Sequence, residues 1–272
     1  MTRPLLGFGT APILGKHNRR TSLRAIAAAL DHGVRHFDTA RSYGWGEAEG
    51  LLGEALKGTP RDGVILVSKC GYVPVRRSRL LSTAKSVARV VRKVPGLGGA
   101  VQRAAASPAL QPKASYDIGL LAASLETSLA ALRTDYLDVL ILHNFNRATE
   151  GVEDVIEWMR GRQAAGAIRH YGVSTGVDVV ETMDWLAERG LLEGAVVQAP
   201  LSAGLLATPA KYRDVATIVH SPFRSWDPSL GAATGDLGAL GDALAAQTAC
   251  RAIVCSMFSP AHIAANARAM AA

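Results

Sequence analysis

The stretch VRHFDTARSYGWGE, residues 34–47, opens as a short apolar strand around Val34 and Phe37, then sets an acid and a phenol among glycine and tryptophan at its exit. A strand apolar on both faces belongs in a parallel sheet covered on both sides, and such sheets carry their functional groups just beyond the strands' carboxyl ends. Asp38 and Tyr43 stand at that place. If the stretch is read correctly, the rest of the chain should alternate buried strands with amphipathic helices.

It does. Short β-branched runs centre on 7–9, 34–37, 64–68, 137–142, 168–173, 194–197, 217–219 and 252–254, eight in all. Helical spacing marks 21–32, 47–57, 117–133, 151–165 and 178–189; in the fourth of these, Val152, Val155, Ile156 and Met159 repeat at i, i+3, i+4 and i+7. Each crossover is long enough to return the next strand parallel. Eight strands with eight crossovers predict an α/β fold, a (β/α)8 TIM barrel in a single domain over residues 1–272. The interval between the third and fourth strands is about twice the others, so 75–115 is expected to be a loop or lid inserted on the face where barrel active sites lie.

The chain has 272 residues, is 49% apolar and carries a net charge of +7. That charge is local. Residues 76–113 hold nine Lys or Arg and no acid, leaving 21 basic against 23 acidic residues elsewhere. Val87, Val90, Val91 and Val94 run through this segment at helical spacing, without aromatic residues for base stacking. It reads as a solvated insertion, as a device that steers an anionic substrate or cofactor, or as a nucleic-acid or membrane-surface contact. Its composition favours the first of these, so neither nucleic acid nor membrane is expected as a partner. No apolar run approaches the roughly 18 residues of a spanning helix, and no signal-peptide pattern opens the chain. A cytoplasmic location is expected. Cys70, Cys250 and Cys255 match neither a zinc pattern nor a disulfide framework and read as packing residues.

A barrel gathers its strand exits on one face. The second strand delivers Asp38 and then Tyr43, the third Lys69, the fourth His143, the fifth Ser174 and Thr175, and the sixth Gln198. Taken singly, Asp38 reads as a turn or cap, Tyr43 as a loop anchor and His143 as a satisfied structural residue. Together they do more. Lys69, ending an apolar strand, needs a counter-ion, and Asp38 on the neighbouring strand is the natural one. An ammonium beside Tyr43 should lower its pKa from about 10, while His143 orients a carbonyl oxygen. This set lacks a nucleophile and a metal-ligand set, so the electrons come from elsewhere, most simply as a hydride from a nicotinamide.

These segments resemble the aldo-keto reductase superfamily, through LGFGTAPILG, GVRHFDTARSYGWGEAEGLLGEAL, VILVSKCG, SLETSLAALRTDYLDVLILHN, IRHYGVST and SPAHIAANARAM in the family's order. The resemblance leaves the basic insertion unmatched. It implies Asp38, Tyr43, Lys69 and His143 as a catalytic tetrad, with Tyr43 as general acid. It also implies an NADP(H) or NAD(H) cofactor, with Ser174 and Gln198 at the nicotinamide amide, His220 stacked on the ring and Ser221 at the pyrophosphate. The remaining cofactor positions implied are Thr175, Ser256, Ser259, His262 and Asn266. Thr175 stands where the family usually has Asn. Ser256 and His262 stand where NADPH-preferring members carry Lys and Arg, and no Lys or Arg occurs from 252 to 267. Ser259 as N-cap and Pro260 as first helical residue still offer a helix start for an anion, and Arg224 or a basic residue of the insertion is the candidate substitute for the missing cations.

The expected activity is therefore hydride transfer between nicotinamide and a small carbonyl or alcohol substrate, anionic if the insertion steers it. Trp45 and Trp226 are expected to wall the substrate pocket, whereas Trp158 and Trp185 read as helix packing. Two other readings fit the same residues. One is a barrel that has lost turnover and serves as a binding or regulatory protein; the other is a lyase or isomerase forming a Schiff base on Lys69.

Overall fold

The computed structural model describes residues 3–73, 113–148, 150–176, 178–223 and 236–271. Most of the basic segment 76–113, together with Arg224 and Trp226, lies outside the described residues. Eight parallel strands close into a barrel: β1 (Leu5–Gly9), β2 (His36–Asp38), β3 (Ile65–Cys70), β6 (Leu137–Leu142), β7 (Ile168–Ser174), β8 (Val196–Pro200), β9 (Ala216–His220) and β10 (Ala249–Cys255). All eight strands read from the sequence are present. Outside the barrel, β4 (Tyr72–Val73) pairs antiparallel with β5 (Lys113–Ala114), an element without periodicity long enough to be read beforehand.

Helices α1 (Arg19–Asp31), α2 (Ala48–Ala55), α3 (Ile118–Leu132), α4 (Val152–Ala164), α5 (Val179–Glu188), α6 (Ala203–Leu206), α7 (Leu237–Gln247) and α8 (Pro260–Ala271) surround the strands. Local chemistry sets where several begin. The side chains of Asn18, Asp117 and Asp236 accept the N–H of Thr21, Leu120 and Ala239, closing the first turns of α1, α3 and α7. None of the described helices is long and apolar enough to cross a membrane.

Alternation along each strand divides the core in two. Leu66 and Cys70 of β3 and Leu140 and Leu142 of β6 face the helices in the larger cluster. Val67, Val139, Ile141, Val196, Ile218, Ala252 and Val254 fill the barrel itself. The three buried cysteines pack as expected, and burial pushes each thiol up to about 12. The chain regains its barrel after the insertion through α3, which lies against α2 at Gly53. A Cβ there would meet the Ala131 carbonyl at 2.4 Å, so only glycine permits this approach.

His36 is an exception to the apolar interior. It is 3% exposed, and its Nε2 is buried without a hydrogen-bond partner. Burial pushes its pKa down to about 4, so the folded protein holds it neutral. Between about pH 6.5 and 4 the unfolded chain binds a proton that the folded chain refuses. Stability is therefore full above that window and falls as the pH drops through it, by up to about 3 kcal/mol for this residue. Urea midpoints measured from pH 7 to 4 should fall less steeply in His36→Leu than in the parent protein.

Candidate active site

Lys69 and Asp38 meet at the carboxyl-terminal mouth, both almost fully buried. Lys69 Nζ donates to Asp38 Oδ1 at 2.5 Å and to the Thr39 carbonyl at 2.8 Å. Gln198 Nε2 donates to Asp38 Oδ2 at 2.7 Å, so both carboxylate oxygens are occupied. The Tyr43 ring lies over this pair, its centroid 5.1 Å from Nζ. The His143 ring stands edge-on to Tyr43 at 5.8 Å and 83°. The four residues predicted to act together are thus brought together.

Their protonation follows from burial and from one another. Burial alone would lower the Lys69 pKa, but Asp38 and Tyr43 overcome it and hold the ammonium charged. For Tyr43 the expectation drawn from sequence is reversed. Burial, joined by the Asp38 charge, raises its pKa by more than the charge and hydrogen bond of Lys69 lower it, because the phenolate would form in a largely desolvated site beside a carboxylate. Tyr43 keeps its proton at rest. His143 is driven down to about 4 by burial and then by the Lys69 charge, so it is a neutral imidazole, and its buried Nδ1 has no partner.

The loop that presents Tyr43 is left-handed: Gly44, Trp45 and Gly46 have φ of 57°, 64° and 86°. A bulky residue in this region is strained and persists only when its surroundings impose it. Two constraints are visible. A Cβ on Gly44 would meet the Ile13 carbonyl at 2.9 Å. Arg41 Nη2 donates to the Gly46 carbonyl at 2.7 Å, while its Nη1 pairs with the fully buried Glu49. Glu49 in turn accepts the Ser68 hydroxyl at 2.6 Å, next to Lys69 in the chain. Sequence reasoning missed Arg41 and Glu49; the one available signal is an acid on the apolar face of α2.

Trp45 borders a cavity of about 420 Å³ at the mouth, shared with Tyr72, Leu120 and Ser124. Its predicted companion, Trp226, lies outside the described residues. Tyr72 was also missed: its ring meets His143 at 5.3 Å and 68°.

The residues predicted for a cofactor follow one arc of strand ends. Ser174 and Gln198 are in register across β7 and β8, and His220 pairs with Pro200 across β8 and β9. His220 Nδ1 lies 3.0 Å from the Ser221 hydroxyl, with Ser221 at φ 54°. Ser256 and His262 are exposed, and Ser259 immediately precedes α8, its carbonyl taking the Ile263 N–H at 3.0 Å. Two predicted positions are engaged elsewhere. The Thr175 hydroxyl bonds Thr182 at 2.8 Å and Asp178 at 3.1 Å, because it closes the entry to α5. The Asn266 amide points at Met257 Sδ, 3.1 Å away.

Residues 5–225 match the model of the aldo/keto reductase family, and the chain belongs to that family. Aldo-keto reductase YhdN of Bacillus subtilis is 31% identical over 174 residues, 62% of this chain and 42% of that protein. Pyridoxal 4-dehydrogenase of Microbacterium luteolum is 28% identical over 218 residues, 75% of this chain and 59% of that protein. The chain thus matches less than two thirds of the length of these curated relatives. Among solved structures, aldo-keto reductase AKR11C1 of Bacillus halodurans superposes with a TM-score of 0.63 at 20% identity, over 100% of this chain and 91% of that one, and shares its fold.

The clamp on the Tyr43 loop has an uneven prediction. Arg41→Met strands the Glu49 charge in the interior and should cost about 3–5 kcal/mol in urea unfolding. Glu49→Gln leaves Arg41 closer to solvent and should cost less, and the double variant should recover part of the Arg41→Met loss.

Proposed function

We propose that this barrel is an oxidoreductase that exchanges a hydride between a nicotinamide nucleotide and a small carbonyl or alcohol, with Tyr43 moving the proton. The observation that carries the reading is the buried Lys69 ammonium, held by Asp38 beside a protonated Tyr43 and a neutral His143. In the reducing direction, negative charge develops on the carbonyl oxygen. His143 donates one ring N–H to that oxygen and fixes its position, and Tyr43 gives up its proton as the oxygen becomes more basic than a phenolate. Lys69 then faces the phenolate and stabilises it. A resting pKa above the usual tyrosine value suits this role, since the proton is present until the reaction demands it.

The arc formed by Ser174, Gln198 and His220 suits a nicotinamide. Gln198 commits its N–H to Asp38, which leaves its carbonyl oxygen for the carboxamide. When bound there, the nucleotide supplies or accepts the hydride. Ser221, Ser256, Ser259 and His262 are the positions for the rest of the nucleotide, with no fixed cation among them. The mouth cavity beside Trp45 and Tyr72 is the place for the substrate; Arg41 nearby is neutralised by Glu49. A Schiff base on Lys69 fits poorly, because its amine is held as an ammonium. The alternative of a barrel that binds without turnover draws on Thr175 and Asn266, whose polar groups are occupied within the protein.

Two measurements check the proposal. Tyr43→Phe should reduce turnover of an aldehyde and ketone panel by about 10²–10⁴-fold while nucleotide affinity changes little; unchanged turnover refutes the assigned role. Fluorescence titration should give NADH and NADPH affinities within about tenfold of each other, since no Lys or Arg occurs from 252 to 267. Absence of binding to both favours the non-catalytic barrel.

A further inference from the structure

The barrel has a second mouth. On the face opposite Tyr43, the starts of the eight strands enclose a cavity of about 570 Å³, within the range of small-ligand sites. Its wall is apolar, with Val139, Val196 and Ile218 from the barrel interior, and Leu5 is left 48% exposed at its edge. Among its lining residues is His36, buried and with Nε2 unpartnered. A polar atom left unsatisfied in the interior carries a desolvation cost that a ligand group can relieve.

The rim is basic, and its charges can be followed one by one. Arg3 is taken by Asp242 at 2.6 Å. Asp138 is satisfied by Arg61 at 2.7 Å and by the Leu66 N–H at 2.8 Å, so Arg169 has a longer contact of 3.5 Å to its second oxygen and also donates to the Tyr136 hydroxyl at 2.9 Å, its guanidinium 4.3 Å from that ring. Arg251 is exposed and, among the described residues, has neither an ion pair nor a hydrogen bond. One guanidinium is therefore uncommitted, and a second, Arg169, keeps N–H groups beyond those it gives to Tyr136 and Asp138, both beside an apolar wall that includes a buried imidazole.

We infer that this second mouth binds a small monocarboxylate with an apolar or aromatic body, its carboxylate on Arg251 and Arg169 and a hydroxyl or similar terminus towards His36. A dianion would leave part of its charge unmatched at this rim, and a wholly apolar ligand would leave both the guanidinium and the imidazole unsatisfied. The site is separate from the proposed redox chemistry but close to it. His36 and Asp38 are two residues apart on the same inward face of β2, so a ligand reaching His36 lies one side-chain layer beneath the Lys69–Asp38 pair.

The test is calorimetric titration of the full chain with 4-hydroxybenzoate, benzoate and phenol. Saturable binding of 4-hydroxybenzoate is expected, with benzoate and phenol each at least about tenfold weaker, since each lacks one polar end. Arg251→Glu should weaken 4-hydroxybenzoate at least about tenfold and His36→Leu should bring it to the level of benzoate, while Trp45→Ala at the other mouth leaves it unchanged. The inference is overturned if 4-hydroxybenzoate does not saturate, if Arg251→Glu binds as the parent does, or if Trp45→Ala alone abolishes binding, which would place the compound at the catalytic mouth. Circular dichroism of each variant separates lost binding from lost folding.

Discussion

A lysine that is 3% exposed can remain charged only if its surroundings return what water would have given, and the upper half of this molecule is arranged around that requirement. Lys69 gets a carboxylate oxygen and a carbonyl, and the carboxylate's other oxygen gets an amide from a strand halfway round the barrel. No shorter piece of chain contains these partners, because Asp38 and Gln198 are 160 residues apart. Closure of the sheet is what makes them neighbours. The barrel is thus a condition for the charge, and the charge is in turn what makes Tyr43 and His143 more than a packed pair of rings.

The same pair explains the contrast between the two layers of the interior. Beneath it lie Val67, Val139, Ile141 and Val254, which hold no polar group. An apolar floor keeps water from approaching the ion pair from below, so its field acts upward on the Tyr43 oxygen. His36 breaks that floor at a single place, and its neutrality keeps a second positive charge from competing with Lys69.

Much of this was legible in the residues alone, and the limits follow a pattern. Strands such as 137–142 announce themselves because both faces are apolar but for Asp138, and a strand as short as His36–Asp38 was still readable from the exit residues after it. Asp38, Tyr43, Lys69 and His143 could be assembled because a barrel dictates that strand exits converge. The direction of the Tyr43 shift could not, since sequence names a residue's partners but not how much water reaches it. Glu49 was not singled out, because a polar residue at the start of a helix is ordinary; only the fold turns it inward onto Arg41 and Ser68. Thr175 and Asn266 show the same limit: sequence names the positions but not that their side chains turn toward protein partners several residues away in the chain.

The small ladder that joins Tyr72 to Ala114 and Val73 to Lys113 has an evolutionary corollary. It brings the two ends of the long connection together at the edge of the site, beside the ring that meets His143, and the Ser115 N–H to Gly71 carbonyl bond at 2.8 Å reinforces the junction. Chain added or removed beyond such a clasp changes closure entropy only logarithmically, while the clasp keeps the two ends of the connection at a fixed separation. Descendants of this protein can therefore exchange that connection wholesale, acquiring a new surface over the same four side chains without the geometry of Asp38, Tyr43, Lys69 and His143 having to be selected anew.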